Sequence, residues 1–355
     1  MKISVLIPVC NSRHYLKQAI QSIQSQTFTD WEMLVINEYS SKDGSAELVR
    51  RLAQQDARIR LIQNKKSLGL AESLNEGMRL ASGDYIARMD ADDLSYRTRL
   101  EKQAAFLDAH PDISLCGTYQ RYFGPDISWV HRPALEPERC KASLLFDCDL
   151  CHSTVMLRRR DFLERGLLYD KHYLAEDFEL WSRALTQLKF ANIPEILGAY
   201  RVNGENITAQ KKERMAKEHA YIVAGALERN LKLTVAKEQY RLLEGWGNPY
   251  YQEKNRAERK RMYKELERLL RRIYKRNQIV GFYDDKALLE ALNDKWRYAK
   301  YMEPKRRDAG IRTVDEIFNS RRRPDYRLLW WTYWERHTSL RADVKRLGRY
   351  VKARL

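Results

Sequence analysis

The chain lacks any run near the roughly 18 consecutive apolar residues that a membrane-crossing helix requires, which excludes a helical span. A secretory leader is not expected either. Met1 to Pro8 is a short apolar run without a small-residue cleavage pattern; it reads as a strand, and the expectation is a cytoplasmic chain. Cysteine is scarce: Cys10, Cys116, Cys140, Cys148 and Cys151 are the five in 355 residues, an odd number that argues against a disulfide framework and for reduced thiols. Cys148, Asp149, Leu150, Cys151 and His152 have haem-attachment spacing, but that chemistry takes place outside the cytoplasm. No second Cys-x-x-Cys completes a zinc site. Internal repeats are absent. So is a glycine-rich phosphate loop after the first strand, which makes a nucleotidyltransferase the weaker enzyme reading.

What is present is charge, unevenly placed. The net charge is +17, yet residues 211–355 hold 38 Lys and Arg against 20 Asp and Glu, while residues 1–210 hold 27 against 28. All the basicity therefore belongs to the C-terminal part. Length alone favours about two domains, and the charge step puts the boundary near residue 210. An anionic partner or surface is implied for the second part only.

Through the first 120 residues, strand and helix patterns alternate. Ile3 to Ile7 is β-like; Leu16, Ala19, Ile20 and Ile23 recur at helical spacing; Met33 to Ile36 is again a short apolar run. Leu48, Val49, Leu52 and Ala53 form a helical stripe, Ile59 to Ile62 a strand, and Leu70, Leu74, Gly77, Met78 and Ala81 another helix. That order predicts an α/β fold with a mainly parallel sheet and helices on both faces. Ligands of such sheets sit beyond the carboxyl ends of the strands, where three polar clusters fall: Pro8 to Asn11, Asn37 with Glu38, and Asp90 to Asp93. After Cys116 the pattern loosens, with Pro125, Pro133 and Pro137 marking a long connection before a strand over Ser153 to Leu157.

The acids are the chemical signal. Asp90 and Asp92 follow the β-rich run Gly83 to Met89, and alternation along an extended segment projects both to one side. Such a pair suits a hard divalent cation shared with substrate phosphates; a solvated Asp-rich turn is the other reading. Glu176 and Asp177 precede the helical spacing Phe178, Trp181, Ala184, Leu185, which puts them in a first turn. The helix dipole favours ionised acids there, with or without a catalytic role.

Taken together, the residues resemble the family 2 glycosyltransferases of GT-A fold over roughly residues 1 to 208. The resemblance rests on Ser4 to Val9 with Asn11; Gln26 and Thr27; Ser41 to Ser45; Gly69 to Asn75 with Gly77; Ser82 to Asp93; His152 to Met156; Ala175, Glu176 and Asp177; and Tyr200 to Val202. It is nearest to bacterial enzymes that build capsular, lipopolysaccharide or other surface glycans. It implies a Rossmann-like GT-A domain over residues 1–210 and an α-helical C-terminal extension over 211–355. By the same resemblance Asp90 and Asp92 would hold Mn or Mg against the diphosphate of a nucleotide-sugar, and Asp177 would be the general base of an inverting transfer to a glycan or lipid-linked acceptor. Pro8, Asn11 and Glu38 would line the nucleotide pocket, with Gly69 admitting backbone close to it.

The chain departs from the family pattern twice. The usual two aspartates after the second strand are Asn37 and Glu38, followed by Tyr39 and one extra residue before Ser41. Glu38 keeps an acceptor for a uracil-type base at a longer reach, so the implied donor is a UDP-sugar. The family's frequent His after the last strand is Asn203. His152, Glu176 and Arg88 are further substrate candidates: His152 is either a structural histidine or a sugar or diphosphate contact, and Arg88 either neutralises diphosphate or pairs with a neighbouring acid. Trp181 reads as core, and Arg99 and Arg183 are left unassigned.

Three readings compete for the basic part. Its stripes, Met262 to Ile273 and Leu340 to Val351, pack on each other as an accessory helical domain. Alternatively, with Trp330, Trp331, Tyr333 and Trp334 nearby, they attach the chain peripherally to the anionic inner face of the plasma membrane. Nucleic acid is the third and least expected partner, because no recognised nucleic-acid module occurs. The different-class alternative to an enzyme is a catalytically idle GT-A-fold protein that binds a membrane or partner.

Overall fold

A computed structural model describes residues 3–125, 127–203, 211–244 and 255–301. Its first half runs β1 (Ile3–Val9), α1 (Arg13–Gln24), β2 (Trp31–Asn37), α2 (Ser45–Gln55), β3 (Ile59–Gln63), α3 (Gly69–Leu80) and β4 (Tyr85–Arg88). Successive side chains of a strand point to opposite faces, so an unbroken apolar strand is stable only when both faces are covered. β1 behaves this way. Val5 and Ile7 join a core with α1 and α2, while Leu6 joins a second core with α3 on the other face. The helical spacing of α1 is realised in full, with Leu16, Ala19, Ile20 and Ile23 all at 0% exposure.

β3, β2, β1 and β4 pair in parallel, as the alternation predicts. Beyond β4 the sheet is mixed. The later elements are β5 (Leu94–Ser95), α4 (Arg99–Ala109), β6 (Ile113–Gly124), β7 (Ile127–His131), α5 (Pro137–Ser143), β8 (Met156–Arg158), α6 (Arg159–Glu164), α7 (Glu176–Ala184) and β9 (Lys189–Arg201). β8 is antiparallel to both β4 and β6, β9 is parallel to β6, and β5 is antiparallel to β9. The long connection expected after Cys116 is instead a β-hairpin: β6 continues to Gly124, Pro125 sits in the turn, and β7 returns beside it. Proline interrupts pairing only where it falls, and the β-prone Tyr119, Tyr122 and Phe123 carry the strand up to it. The strand expected over Ser153 to Leu157 begins only at Met156. His152–Thr154 is a 3-10 turn, closed by the Thr154 amide and hydroxyl, which both donate to the Cys151 carbonyl at 2.7 and 3.0 Å.

The C-terminal helices are α8 (Lys212–Leu231), α9 (Arg256–Val280) and α10 (Asp285–Tyr301). Asn255 starts α9 with a capping box shared with Glu258, and Gly281, at φ +67°, ends it in a left-handed cap. The stripe Met262, Leu266, Leu269, Leu270 and Ile273 is 0–1% exposed and belongs to the same apolar core as α3 and α7. This stripe therefore faces protein. No helix among the described residues is long and apolar enough to cross a membrane. The later expectations, the stripe Leu340 to Val351 and the aromatics Trp330 to Trp334, lie outside the described residues, as does the boundary at residue 210.

Candidate active site

The carboxyl end of β4 delivers an acidic turn. Asp90 takes both guanidinium nitrogens of buried Arg88, at 2.6 Å from Nη1 to Oδ2 and 2.5 Å from Nη2 to Oδ1. Asp92 accepts from Asn203 Nδ2 at 3.0 Å, and its carbonyl accepts from Arg201 Nε at 2.8 Å. Asp93 is buried and accepts from the Ser153 hydroxyl and, at 2.8 Å, from the Arg201 amide. Burial first and the Asp90 charge second raise the pKa of Asp92, and the same two causes push Asp93 well above the usual carboxylate range. Three acids are thus crowded into one turn.

The second acidic group comes from the start of α7. Glu176 is buried, and burial followed by the neighbouring Asp177 charge lifts its pKa to about 8. The Asp177 side chain is 24% exposed. Its Oδ1 accepts from the Phe178 amide at 2.7 Å, and its Oδ2 lies 3.5 Å from Cys148 Sγ. Burial also raises its pKa. His152 stands between the two acids, its Nδ1 at 3.8 Å from Glu176 Oε1 and 3.7 Å from Asp177 Oδ2, while Nε2 meets the Tyr169 hydroxyl at 2.9 Å. Burial, with Arg88 nearby, drives its pKa well below the ordinary value, so the imidazole is neutral. Burial opposes the charge of Arg88, but the Asp90 carboxylate paired with it outweighs that and holds it protonated.

The residues expected to line a nucleotide pocket are tied together by hydrogen bonds. Glu38 is 6% exposed, and its two oxygens accept from the amides of Tyr39, Leu68 and Gly69, each at 3.0 Å, from Ser73 Oγ at 3.2 Å and from Asn64 Nδ2 at 3.3 Å. Leu68 is the N-cap and Gly69 the first residue of α3, and amides at that end have no partner inside the helix. Glu38 therefore caps α3 internally. Gly69, at φ +76° with open space around its Cα, is needed for its left-handed backbone. Asn11, at φ +52°, ties the first loop to the second: its amide donates to Ser41 Oγ and its Oδ1 accepts from the Lys42 amide, both at 3.0 Å. Pro8 sits near the end of β1 opposite Ile36.

Several participants carried no sequence signal of their own. Ser153 bridges Asp93 and the Asp90 amide. Arg99, fully buried, donates to the Arg88 and Val155 carbonyls at 2.7 and 3.2 Å and to Gln103 at 2.9 Å. Its one clue is spacing: Arg99 and Gln103 fall on the face of α4 that also carries Leu100, Ala104 and Leu107. Trp181 is fully buried core, as expected. Arg183 pairs with Glu179 at 2.6 Å.

Residues 4–167 match the family described as Glycosyl transferase family 2. An uncharacterized glycosyltransferase of Haemophilus influenzae is 32% identical over 240 residues, 60% of this chain and 72% of that protein. A Bacillus subtilis protein named as glycosyltransferase EpsE is 32% identical over 245 residues, 67% of this chain and 86% of that one. A relative from Escherichia coli, 26% identical over 61% of this chain and 83% of its own length, is named UDP-Glc:alpha-D-GlcNAc-diphosphoundecaprenol beta-1,3-glucosyltransferase WfgD. Among solved structures, S. aureus TarS 1-349 in complex with UDP-GlcNAc superposes with a TM-score of 0.58 at 15% identity, covering 85% of this chain and 88% of that one. The mannosyltransferase PcManGT from Pyrobaculum calidifontis, in complex with GDP-Man and Mn2+, superposes with a TM-score of 0.51 at 16% identity, covering 84% and 83%. These likenesses establish the GT-A fold.

Proposed function

The chain belongs to glycosyltransferase family 2 and is a glycosyltransferase, and on that premise we propose that it moves a sugar with inversion from a UDP-sugar to a glycan or lipid-linked acceptor in surface-polysaccharide synthesis. The observation that carries this reading is the convergence of two acidic groups on the His152–Ser153 turn: Ser153 donates to Asp93 and accepts from the Asp90 amide, while His152 Nδ1 stands 3.8 Å from Glu176 and 3.7 Å from Asp177. WfgD, whose name specifies a UDP-glucose donor and a diphosphoundecaprenol-linked acceptor, supports the donor and acceptor classes.

Asp90 and Asp92 form an oxygen-only donor set, in a turn whose acids are crowded enough to raise two of their pKa values. That chemistry fits Mn or Mg. Among the described residues no three His, Cys, Asp or Glu side chains form a metal-holding group, and a cation at Asp90 and Asp92 would have to complete its shell with substrate phosphate and water. Bound there, the cation would supply Lewis-acid stabilisation of charge on the departing nucleoside diphosphate. Arg88 holds Asp90 in place and keeps a fixed positive charge beside the turn.

Asp177 is the base. Its Oδ1 is held by the Phe178 amide and its Oδ2 only by the weak thiol donor of Cys148, so Oδ2 is the oxygen that would accept a proton from the acceptor hydroxyl as that oxygen attacks the anomeric carbon from the opposite face. Glu176, with a pKa of about 8, keeps a proton at neutral pH, and neutral His152 adds no ion pair that would lower the basicity of Asp177. A positioned base contributes about 10²- to 10⁴-fold; orientation and electrostatics supply the remainder. Residues 1–210 form the transferase domain in this reading. Residues 211–355 form a basic helical extension whose charge suits an anionic inner leaflet, and liposome flotation with and without anionic lipid tests that attachment. The catalytic assignment is tested by UDP release from UDP-sugars with Mn: Asp177→Asn should lose transfer and keep UDP binding, and full transfer in that variant would remove Asp177 from its role.

A further inference from the structure

A row of aromatic side chains on β7, β6 and β9 takes no part in the chemistry above. Register places Trp129 of β7 opposite Tyr122 of β6, and Tyr122 opposite Tyr200 of β9. Directly opposite residues share one face of a sheet, and here the rings touch. Trp129 and Tyr122 stack at 4.1 Å between centroids with 18° between planes, and Tyr122 and Tyr200 lie at 4.8 Å. The inner end of the row meets the acids: β5 follows Asp93 directly and pairs with β9 through Leu94 opposite Ala199, while the Arg201 amide next to Tyr200 binds Asp93. The outer end is open, with Trp129 38% and Ile127 41% exposed. His131 stands edge-on to Trp129 at 6.1 Å, and its Nε2 lies 3.5 Å from Asp149 Oδ1.

We propose that this row is a platform for the acceptor saccharide, with Trp129 stacking on a sugar remote from the attacking hydroxyl; the proposal rests on the transferase reading given above. A pyranose presents a C–H face to an aromatic ring and a rim of hydroxyls to polar groups. The site offers both: the exposed Trp129 ring, backed on one face by Tyr122 and through it by Tyr200, and the His131–Asp149 pair at its border. A lipid chain would have no use for that polar pair. Adjacent strands are about 4.8 Å apart, so β7 lies roughly 10 Å from β9, and Asp93, which precedes β5 on the far side of β9, is farther still. That is too far for the sugar being transferred and suitable for the second or third sugar of an acceptor. An aromatic stack of this kind corresponds to about a tenfold effect on affinity.

The test uses the full chain labelled with 5-fluorotryptophan, the Trp129 fluorine resonance being assigned by its loss in Trp129→Phe. Cellobiose, chitobiose, maltose and lactose are titrated in turn, with UDP and octanol as controls. A saturable shift of the Trp129 resonance by at least one disaccharide, and by neither control, is expected. By calorimetry Trp129→Ala should bind that disaccharide about tenfold more weakly, and Trp129→Phe should keep most of the affinity, an order that a merely structural role for the ring would not produce. No shift with any disaccharide, or a shift with UDP or octanol alone, overturns the proposal. UDP release by hydrolysis should be unchanged in Trp129→Ala. If the wild type releases no UDP from any UDP-sugar, the transferase reading fails while the titration still decides the platform.

Discussion

Glu38→Ala is the perturbation whose size follows most directly from the geometry. The carboxylate accepts five hydrogen bonds, three from the backbone amides of Tyr39, Leu68 and Gly69 and two from Asn64 and Ser73. Loss of a helix cap alone costs about 1 kcal/mol, and each buried donor left without a partner adds about 1–3 kcal/mol. Tyr39 is exposed and its amide recovers water, and Asn64 Nδ2 keeps Ser73 Oγ at 2.8 Å, so the buried Ser73 hydroxyl is the side-chain donor left without its acceptor. The total is about 2–4 kcal/mol, a large share of the 5–15 kcal/mol typical of a folded domain. Urea unfolding followed by circular dichroism should show a lower midpoint at unchanged slope. Glu38→Gln, which keeps the shape and loses the charge, should cost about 2 kcal/mol at pH 7. The pH sign follows from direction: the amides of Leu68 and Tyr39 and the Ser73 hydroxyl outweigh burial and hold the folded pKa below the ordinary 4.5. The carboxylate therefore contributes stability above about pH 4.5, and that contribution fades as pH falls. The gap between wild type and Glu38→Gln must narrow in acid. A Glu38→Ala loss under about 1 kcal/mol, or a Gln gap that persists undiminished at pH 3, would refute the reasoning.

Glu176→Gln should reverse that pH trend, because burial and Asp177 raise the folded pKa from 4.5 to about 8. The native state then holds the extra proton across that window, wild-type stability falls as pH rises through it, and the variant's melting temperature should gain on wild type between pH 5 and pH 8. An identical difference at both pH values would contradict this. Arg99→Met removes the donors to the Arg88 and Val155 carbonyls and should cost about 2–4 kcal/mol in urea unfolding; a change under about 0.5 kcal/mol would mean that water replaces the guanidinium. Leu266→Ala, at 0% exposure in the core shared by α9 and α3, should cost about 2–5 kcal/mol and shift one cooperative transition. Two separate transitions would show that the C-terminal helices unfold alone.

The parallel half of the fold was legible because its signals are local: apolar strands such as Met33 to Ile36 and stripes such as Leu16 to Ile23 carry their own periodicity. The mixed half was not, because strand direction there depends on pairings between distant segments, as where β8 lies between β4 and β6. The hairpin was hidden by Pro125, which ends β6 and does not break it. At the site, residue type and order brought Asp90, Asp92 and Asp177 forward. They offered a neighbouring acid as one partner for Arg88 without choosing it, and could not reveal that Glu38 turns inward to α3, since both depend on where a carboxylate finds donors in three dimensions. The basic stripe of α9 reads alike for a membrane or a protein partner, and its burial against the core assigns those apolar residues to protein.

The central claim is that two acidic groups divide the work, Asp90 and Asp92 at the donor diphosphate and Asp177 at the acceptor hydroxyl. It is tested most directly by UDP release from a panel of UDP-sugars with Mn and acceptor glycans, comparing wild type, Asp92→Asn and Asp177→Asn beside calorimetric UDP affinity. The account predicts that Asp177→Asn loses at least about 10²-fold in transfer with UDP affinity unchanged, whereas Asp92→Asn loses both. Wild-type transfer rates in Asp177→Asn, or unaltered UDP affinity in Asp92→Asn, would contradict it.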